Sequence, residues 1–348
     1  MKRSKKCILP ETYAGIEFDE NGICNICRAV EERKNKDWQA KEKEFRIIVE
    51  KCKKLAERNG SPYDCVVPFS GGKDSTYTLY TITQIYNMRA LAVTFNHCFF
   101  TDVIKENQEK VVKKLGVDHI VFTPNWEVVK KLCLKSFRLT GDFCWHCHCG
   151  VYAYPLQIAV KYKVPCIIWG TTDYSLIDDL PRDRNFFEKY VNLGLNPEDM
   201  AGDGITLRDL QPFMFPSERE LKDLNIISIN QGAYIPWNVR KQVELIKKEL
   251  GWRGGRVEGS YVDYDKIECK YIGVRDYIKF IRRGYGRSAQ LASVDIRDRL
   301  MTREEAMRIS EKYDGKKPQS LTEFLKDIGI TEKEFLKIVY RHKVQAAD

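Results

Sequence analysis

The chain has 348 residues, and its 58 Lys and Arg against 49 Asp and Glu give a net charge of +9. This length can hold one large α/β domain with smaller appendages, and the mild positive charge permits an anionic partner without requiring one. No apolar run is long enough to span a bilayer and the basic N-terminus lacks a signal peptide, which predicts a soluble, cytoplasmic protein with no membrane partner. Twelve cysteines in such a chain indicate metal or cluster ligation and free thiols rather than disulfides.

The N-terminal segment, residues 1–60, is predicted to form a small metal knuckle and a linking helix. Cys24 and Cys27 have the C-x₂-C spacing with which one tight turn supplies two thiolates to a tetrahedral ion, and Cys7 is a candidate third ligand. Zinc suits this donor set, but structural zinc normally has four protein ligands, so a distant Cys or His completes the site or the metal is not zinc. Buried cysteines without any metal are the alternative. The charged stretch 31–59 has apolar residues at helical spacing and predicts an amphipathic linking helix.

Strands and helices alternate from residue 61 onward. Strands are predicted at 64–69, 90–95, 119–122, 164–169 and 226–229. Helices are predicted at 74–86, 103–115, 126–137, 151–161, 216–224, 238–250, 264–283, 302–313 and 321–342. This alternation is typical of a parallel, doubly wound sheet covered by helices on both faces. We therefore predict an α/β domain over residues 61–235 and a helical C-terminal region over residues 236–348.

Residues 70–75, Ser-Gly-Gly-Lys-Asp-Ser, directly follow the first predicted strand and open a helix. Paired glycines at a helix N-terminus let backbone N–H groups approach an anion, and Lys73 adds a full positive charge. The loop is not a Walker A motif, because Val67 stands where the first glycine should be and Asp74 follows Lys73. All six positions resemble the PP-loop of the ATP pyrophosphatases, which cleave ATP between the α- and β-phosphates and have an adenine nucleotide alpha hydrolase-like fold.

The resemblance implies ATP and Mg²⁺ as cofactors and assigns roles to the loop. Lys73 would stabilise charge in the transition state, and Asp74 would orient Mg²⁺ or cap the helix. The end of the second strand and the turn after the fourth would also line the nucleotide site. The nucleotide-binding residues implied in this way are Ser70, Gly71, Gly72, Lys73, Asp74, Ser75, Thr94, Asn96, Gly170 and Thr171.

A second unusual stretch, residues 141–150, contains three cysteines and two histidines and is predicted to be a loop near the carboxyl edge of the sheet. It would supply the missing ligand of the N-terminal site, hold an iron–sulfur cluster, or provide a thiolate as nucleophile or sulfur carrier. The layout resembles PP-loop tRNA thiolation enzymes, in which a C-x₂-C pair and a later cysteine hold an open-iron [4Fe-4S] cluster. Cys144, Cys147 and Cys269 match that layout, although Cys269 also fits an ordinary buried thiol.

Two further stretches carry charges that suit ligands. Residues 173–204 form a long polar connection that predicts a substrate-covering insertion, and its Asp173, Asp178 and Asp179 would bind Mg²⁺ or a sugar, or serve only as caps. A basic row in and after the helix predicted at 264–283 would grip a diphosphate or form a solvated face: Arg275, Lys279, Arg282, Arg283 and Arg287. The complete set of candidate metal ligands is Cys7, Cys24, Cys27, Cys144, Cys147, Cys149 and Cys269, and the candidate catalytic residues are Lys73, Asp74, Cys144 and Cys147.

Several motifs together resemble the N-acetyl sugar amidotransferase family of bacterial surface-polysaccharide synthesis. Besides the PP-loop they are Cys-Ile-Leu-Pro-Glu-Thr at 7–12, Gly-Ile-Cys-Asn-Ile-Cys at 22–27, Phe-Cys-Trp-His-Cys at 143–147, Tyr-Ile-Pro-Trp at 234–237 and Arg-Arg-Gly-Tyr-Gly-Arg at 282–287. The resemblance spans nearly the whole chain and implies an AMP-forming, PP-loop amidotransferase or ligase of lipopolysaccharide O-antigen biosynthesis. Such an enzyme adenylates the acetamido oxygen of a nucleotide-linked N-acetyl sugar and substitutes ammonia, which gives an acetamidino sugar.

The source of ammonia and two alternative functions stay open at this point. The chain has no obvious glutaminase nucleophile motif, so the family resemblance implies a glutaminase partner similar to histidine-biosynthesis subunits. In the first alternative, sulfide carried on a cluster or a cysteine is the nucleophile, and the product is a thiolated tRNA base or small molecule. RNA would be a partner only in that case. In the second alternative, the protein is a non-catalytic scaffold subunit that binds ATP without releasing pyrophosphate.

Overall fold

A computed structural model describes residues 1–170 and 194–344, and within them the chain forms a five-stranded parallel sheet. The strands are β1 (Cys65–Pro68), β2 (Ala90–Phe95), β3 (Asp118–Phe122), β4 (Cys166–Trp169) and β5 (Ile227–Asn230). Their order across the sheet is β3-β2-β1-β4-β5, and every neighbouring pair is parallel. All five predicted strands are present, and the α/β class is confirmed.

Thirteen α-helices lie in the described part of the chain. They are α1 (Asn25–Lys34), α2 (Trp38–Arg58), α3 (Lys73–Tyr80), α4 (Asp102–Leu115), α5 (Trp126–Thr140), α6 (Trp145–Lys161), α7 (Glu218–Asp223), α8 (Val239–Leu250), α9 (Ile272–Arg283), α10 (Arg287–Arg297), α11 (Arg303–Tyr313), α12 (Leu321–Ile328) and α13 (Glu332–Arg341). One wider helical turn, Thr81–Ile85, extends α3 to nearly the predicted end of that helix.

Four predicted boundaries are wrong. The single helix predicted over residues 31–59 is two helices, because α1 ends at Lys34 and the Asp37 side chain caps α2. The helix predicted at 264–283 starts only at Ile272. Before it, Asp265 binds Lys73 of the loop at 70–75, and Cys269 packs on the apolar cluster that contains Cys144. The helix predicted at 321–342 is two helices, since Gly329 has the left-handed φ of +75° that ends α12, and the Thr331 side chain caps α13. The cysteine-rich stretch is not a loop, because α6 begins at Trp145.

The sheet is buried on both faces. One face carries α2, α3, α4 and α8, and the opposite face carries α5 and α6. Successive residues of β1 point to opposite faces, so Val66 packs under α6 whereas Val67 packs against the other helices. The predicted linking helix α2 therefore belongs to the core of the α/β domain, to which it contributes Phe45, Val49 and Cys52.

The N-terminal knuckle packs on the C-terminal helices, a contact that the sequence does not indicate. Ile8 lies in one apolar cluster with residues of α10 and α11, and its backbone N–H donates to Ser293 Oγ at 3.3 Å. Arg303 of α11 donates to the backbone carbonyls of Ser4 and Cys7. The first and last parts of the chain thus form one packed unit.

The close packing of α6 on β2 depends on Gly150, where a Cβ would overlap the ring of Phe95. We expect Gly150→Ala to lower the free energy of unfolding by about 1–3 kcal/mol, measured by urea denaturation, because overpacking forces helix and strand apart. A Phe95→Leu change removes the two ring atoms that would lie nearest to that Cβ, Cε1 and Cζ. The double variant should therefore lose less stability than the sum of the two single variants, and strictly additive losses would contradict this account.

Candidate functional site

The loop between β1 and α3 is held in shape from two sides. Gly71 has a left-handed φ of +81°, and a Cβ on it would lie 2.7 Å from Gln108 Cγ, so only glycine fits there. The Gln108 amide donates to the Ser70 carbonyl at 2.8 Å, and the Trp252 indole donates to the Gly71 carbonyl at 2.9 Å. These contacts fix the loop carbonyls, while the first N–H groups of α3 have no intrahelical partner and suit an anion.

The two serines of the loop face each other across its mouth. Ser70 Oγ and Ser75 Oγ are 3.2 Å apart, the Gly72 N–H donates to Ser70 Oγ at 3.2 Å, and the Ser70 N–H donates to Ser75 Oγ at 3.2 Å. The predicted residues 70–75 therefore come together as one compact cradle at the carboxyl end of β1. Such a cradle fits a phosphate group.

Lys73 lies buried between two carboxylates. Its Nζ is 2.7 Å from Asp74 Oδ2 and 2.9 Å from Asp265 Oδ1. Burial alone would lower the pKa of Lys73, but the Asp265 and Asp74 carboxylates outweigh burial and raise the pKa above its ordinary value. The ammonium group is therefore charged at neutral pH, and two of its three N–H groups donate to these carboxylates.

Asp74 also fits the expected cation role. Burial raises the pKa of Asp74, and the Lys73 ammonium opposes this shift. Its second oxygen, Oδ1, is buried and has no hydrogen-bond partner among the residues that the structure describes. A buried carboxylate oxygen without a donor suits a hard cation, so Asp74 fits as a ligand of the Mg²⁺ that accompanies ATP.

Asp265, the other partner of Lys73, was not predicted as a site residue. It lies 192 residues further along the chain, and its Oδ2 accepts from Arg287 Nη1 at 2.8 Å. Burial alone would raise the pKa of Asp265, but the Lys73 and Arg287 cations hold this pKa well below its usual range. No local pattern signals a pair so distant in sequence, so sequence reasoning could not find it.

The remaining residues predicted for the nucleotide site have separate positions. Thr94 donates to the Phe69 carbonyl and so fastens the end of β1 beside the loop. Asn96 instead orders the next turn, where its Oδ1 accepts from the Cys98 N–H at 2.9 Å. Gly170 packs on α3, since a Cβ there would lie 3.1 Å from the Asp74 carbonyl oxygen. Thr171, like the predicted ligands Asp173, Asp178 and Asp179, lies outside the described residues.

The cysteine-rich stretch opens α6 next to an ion pair. Asp142 Oδ1 accepts from the Cys144 N–H at 2.8 Å, and Asp142 Oδ2 accepts from Arg275 Nε and Nη2 at 3.1 and 3.0 Å. Burial alone would raise the pKa of Asp142, but the Arg275 guanidinium outweighs burial and lowers it. Cys147 therefore lies in the first turn of a helix whose start is fixed by Asp142.

Cys144 and Cys269 belong to one apolar cluster beside this turn, and Cys147 lies in the turn itself. Among the described residues, however, only the three N-terminal cysteines have Sγ atoms that all lie within 4.8 Å of one another. Burial, with a further contribution from Cys269, raises the pKa of the Cys147 thiol to about 12. Burial also raises the pKa of Cys144, to which Cys147 and Cys269 contribute. A set of three such thiols is the donor chemistry that an iron–sulfur cluster needs. Cys149 does not join them, because its thiol donates to the Phe213 carbonyl at 3.1 Å in the core on the other side of α6.

One short stretch, residues 265–269, connects this cysteine group to the PP-loop, and we call it the bridging segment. Asp265 at its start binds Lys73, and Cys269 at its end packs on the same apolar cluster as Cys144. Between them, Glu268 lies beside the loop, where a Cβ on Gly72 would be 3.4 Å from Glu268 Oε2. The bridging segment thus lies against the PP-loop through Asp265 and Glu268, and the proximity of the cysteines themselves to the nucleotide stays a prediction.

The N-terminal cysteines form a separate group. The Sγ atoms of Cys7, Cys24 and Cys27 all lie within 4.8 Å of one another, and none of the three residues is exposed. Ser4 Oγ accepts from the N–H groups of Cys7 and Cys24, which orients both residues. Within the described residues, no fourth Cys, His, Asp or Glu lies within that distance of all three, and the cysteine-rich stretch of α6 is elsewhere.

Arg297 of α10 supports a metal at this N-terminal group. Its Nε and Nη1 are buried and have no hydrogen-bond partner in the described part of the chain. Hydrogen bonds from Cys24 and Cys27, with a further contribution from Arg297, lower the pKa of the Cys7 thiol. A divalent ion with three thiolates carries one net negative charge, which the Arg297 cation would balance. The three thiolates fit Zn²⁺ when a fourth ligand comes from outside the described residues. Arg297 is a further residue that sequence reasoning missed.

The basic row predicted to grip a diphosphate is used inside the protein instead. Arg275 binds Asp142, and Lys279 and Arg287 both bind Asp276. Two others donate to backbone carbonyls, Arg282 to Gly141 and His342, and Arg283 to Thr12. These side chains therefore attach the C-terminal helices to one another, to the N-terminal segment and to the start of the cysteine-rich stretch, and are not a solvated face.

Three comparisons link this chain to known proteins. A family model described as LPS biosynthesis protein WbpG-like, C-terminal domain, matches residues 258–348, the region that contains Asp265, Cys269 and Arg287. An uncharacterized protein of Methanocaldococcus jannaschii, MJ1638, is 28% identical over 107 residues, and the match covers 30% of this chain and 39% of that protein. A solved structure of the U34-tRNA thiolase NcsA from Methanococcus maripaludis with its [4Fe-4S] cluster aligns over 92% of this chain and 91% of that one, with a TM-score of 0.34 and 13% identity.

The C-terminal region is thus similar to a domain of lipopolysaccharide biosynthesis. No helix among the described residues is both long and apolar enough to cross a membrane.

Proposed function

We propose that the protein is a cytoplasmic, ATP-dependent amidotransferase of the PP-loop type that acts on a nucleotide-linked N-acetyl sugar. The observation that carries the proposal is the ion pair between Lys73 and Asp265. It joins a loop suited to ATP phosphates to the region that resembles a lipopolysaccharide-biosynthesis domain. A nucleotide site built jointly with such a domain supports ATP-driven chemistry on a sugar.

The reaction needs activation because an amide oxygen is a poor leaving group. The acetamido oxygen attacks the α-phosphorus of ATP, the bond to the β-phosphate breaks, and pyrophosphate leaves. Ammonia then adds to the activated carbon, and the carbon–oxygen bond breaks so that AMP departs with the former amide oxygen. After loss of a proton the product is an acetamidino sugar, and atoms and charges balance.

The protein's own groups would serve the first of these steps. The N–H groups at the start of α3 and the hydroxyls of Ser70 and Ser75 would hold the phosphates, and Lys73 would stabilise the charge that develops as pyrophosphate leaves. Mg²⁺, held by the phosphates and Asp74, would supply further neutralisation. Ammonia would come from a separate glutaminase subunit.

The test is mass spectrometry of UDP-linked N-acetyl sugars incubated anaerobically with the protein, ATP, Mg²⁺ and either ammonium or sulfide. A slightly lighter sugar with ammonium, in which nitrogen replaces oxygen, should form together with AMP and pyrophosphate. A heavier product only with sulfide would contradict the amidotransferase. Binding of ATP without any AMP would instead favour a scaffold subunit.

A second candidate, a sulfurtransferase, is favoured by the cysteine group beside the PP-loop. Cys144, Cys147 and Cys269 would hold a [4Fe-4S] cluster, which would supply an iron site for sulfide. The adenylation by the PP-loop would be the same, and the acceptor would be a tRNA base or a small molecule. The bridging segment supports this candidate because it carries one of the three thiols and the carboxylate that binds Lys73.

Cys147→Ser separates the two candidates. We expect this variant to lose bound iron and any sulfide-dependent product, but to form the acetamidino sugar from ammonium about as fast as the wild type. The measurements are iron content and product mass. The matched control is Cys149→Ser, on the same helix but bonded to Phe213, which should keep both activities. Loss of the ammonium reaction in Cys147→Ser alone would contradict direct attack by ammonia.

A further inference from the structure

A chain of alternating buried charges runs from the PP-loop into the C-terminal helices. Asp265 accepts from Lys73 at 2.9 Å and from Arg287 at 2.8 Å through its two different oxygens. Arg287 Nε and Nη2 reach Asp276 at 2.6 and 3.2 Å, and Lys279 Nζ is 2.9 Å from the same carboxylate. The exposed fraction is only 7% for Lys73, 8% for Asp265 and Arg287, and 6% for Asp276.

Stability alone is a poor explanation for this arrangement. Taking charges out of water is costly, and buried ion pairs often contribute no more than well-packed apolar residues of similar size. Such a series of paired charges instead fixes the orientation of its side chains. A lysine has a long flexible stem with much rotamer freedom, whereas the guanidinium of Arg287 is a rigid planar fork. Because Asp276 holds one edge of the fork, the opposite edge holds Asp265 in one place.

We propose that Asp265, held by Arg287, is a positioning residue that directs the Lys73 ammonium toward the ATP phosphates. The inference rests on the proposed ATP site, and it makes residues 258–348 part of that site. Asp265 approaches Lys73 from the bridging segment, so the ammonium is oriented between the PP-loop and the C-terminal region. Neither the Asp265 nor the Asp276 carboxylate needs to touch the substrate in order to orient Lys73.

The charges predict different effects of the two substitutions on ATP affinity. Asp265→Asn removes a negative charge next to Lys73, so ATP should bind as tightly as before or more tightly, although the ammonium loses its orientation. Arg287→Gln removes a positive charge and leaves Asp265 to neutralise Lys73 alone, so ATP should bind more weakly. Both variants should lower kcat, on the order of 10- to 100-fold, because a small misplacement of a charge-stabilising group is costly. The double variant should restore affinity but not kcat.

The experiment measures kcat and KM for AMP formation, and ATP affinity by calorimetry, for wild type, Asp265→Asn, Arg287→Gln and the double variant. Thermal unfolding of each variant separates folding from positioning, since loss of folded protein lowers the active fraction without shifting ATP affinity. Asp265→Glu, which keeps the charge, should recover part of the lost kcat. The control is Asp263→Asn in the same stretch, because the Asp263 side chain is exposed and pairs with Lys247.

The outcomes distinguish this inference from the proposed function. Weaker ATP binding in Arg287→Gln but not in Asp265→Asn, with lowered kcat in both single variants, supports the positioning role. A wild type that binds ATP and forms AMP, with Asp265→Asn indistinguishable from it, overturns the inference alone. Affinity changes of the same sign in both variants also overturn it. A wild type that neither binds ATP nor forms AMP overturns the proposed function, and the inference with it.

Discussion

Replacing Lys73 by methionine is expected to lower the rate of ATP-dependent AMP formation by about 10²- to 10³-fold, the loss typical of removing one charge-stabilising donor. Methionine keeps most of the length of the side chain but has no charge. The Lys73 ammonium is the cation that the structure places at the start of α3, between Asp74 and Asp265. Without it, two buried carboxylates would face the ATP phosphates and repel them.

The measurement is AMP and pyrophosphate release with ammonium as nucleophile. The matched control is Lys105→Met on α4, whose ammonium is exposed and pairs only with Asp102 at 3.0 Å among the described residues. This control should keep the wild-type rate. A Lys73→Met protein that is folded, by thermal unfolding, and still forms AMP at a comparable rate would remove the PP-loop from the mechanism.

Loss of one N-terminal cysteine is expected to produce the largest structural effect. Cys24→Ser should lower zinc affinity by more than about 100-fold, because the ion loses one of three thiolates, and the knuckle should detach from α10 and α11. Metal content by mass spectrometry and competition with a chromogenic chelator measure the affinity. Limited proteolysis near residue 15 reports the detachment.

Two further variants should have a smaller effect on zinc binding or none. Arg297→Gln removes only the balancing charge, so zinc affinity should fall by about 10- to 100-fold, the loss typical of residues that contact a metal ligand and not the ion. Cys98→Ser, in a turn outside the group, should leave the zinc content unchanged. Equal zinc content in Cys24→Ser and wild type would contradict a metal site at these cysteines.

Local patterns in the sequence were sufficient to predict the sheet and the PP-loop. The strand Ala90–Phe95 was predicted with its observed ends, because an apolar run between polar turns has few alternatives. The conformation of residues 70–75 could also be predicted locally, since the paired glycines and the start of the helix are adjacent in sequence. Features of this kind depend on neighbours along the chain and can be recognised without a structure.

Two local signals were present but were not used. Gly329 and Thr331 mark the end of α12 and the cap of α13, yet the apolar spacing continues across them and suggested a single helix. Helical spacing of apolar residues also continues before Ile272, but the backbone there is not helical, because Asp265 and Cys269 each contact a different site. Periodicity describes which residues are apolar, and it fails where polar residues decide the path of the backbone.

Other features had no local signal at all. The pair of Lys73 and Asp265 spans 192 residues, and Arg297, whose charge contributes to the lowered pKa of the Cys7 thiol, lies far along the chain from that cysteine. Such partners are chosen by the packing of whole elements, so one sequence without relatives cannot reveal them. Packing that the sequence does not reveal also explains why Cys149 was wrongly predicted as a metal ligand. Its spacing matches its neighbours, but the helix turns its thiol to the other side.

The contact between the knuckle and the last helices sets an order of events during synthesis. Ile8 bonds to Ser293, 285 residues later, so the N-terminal cysteines leave the ribosome on the order of tens of seconds before the surface that covers them. In that interval the thiols are open to metal and to oxidants. We expect the metal to be loaded into an undocked segment, and the arrival of α10 then to seal it, with Arg297 closing over the thiolates.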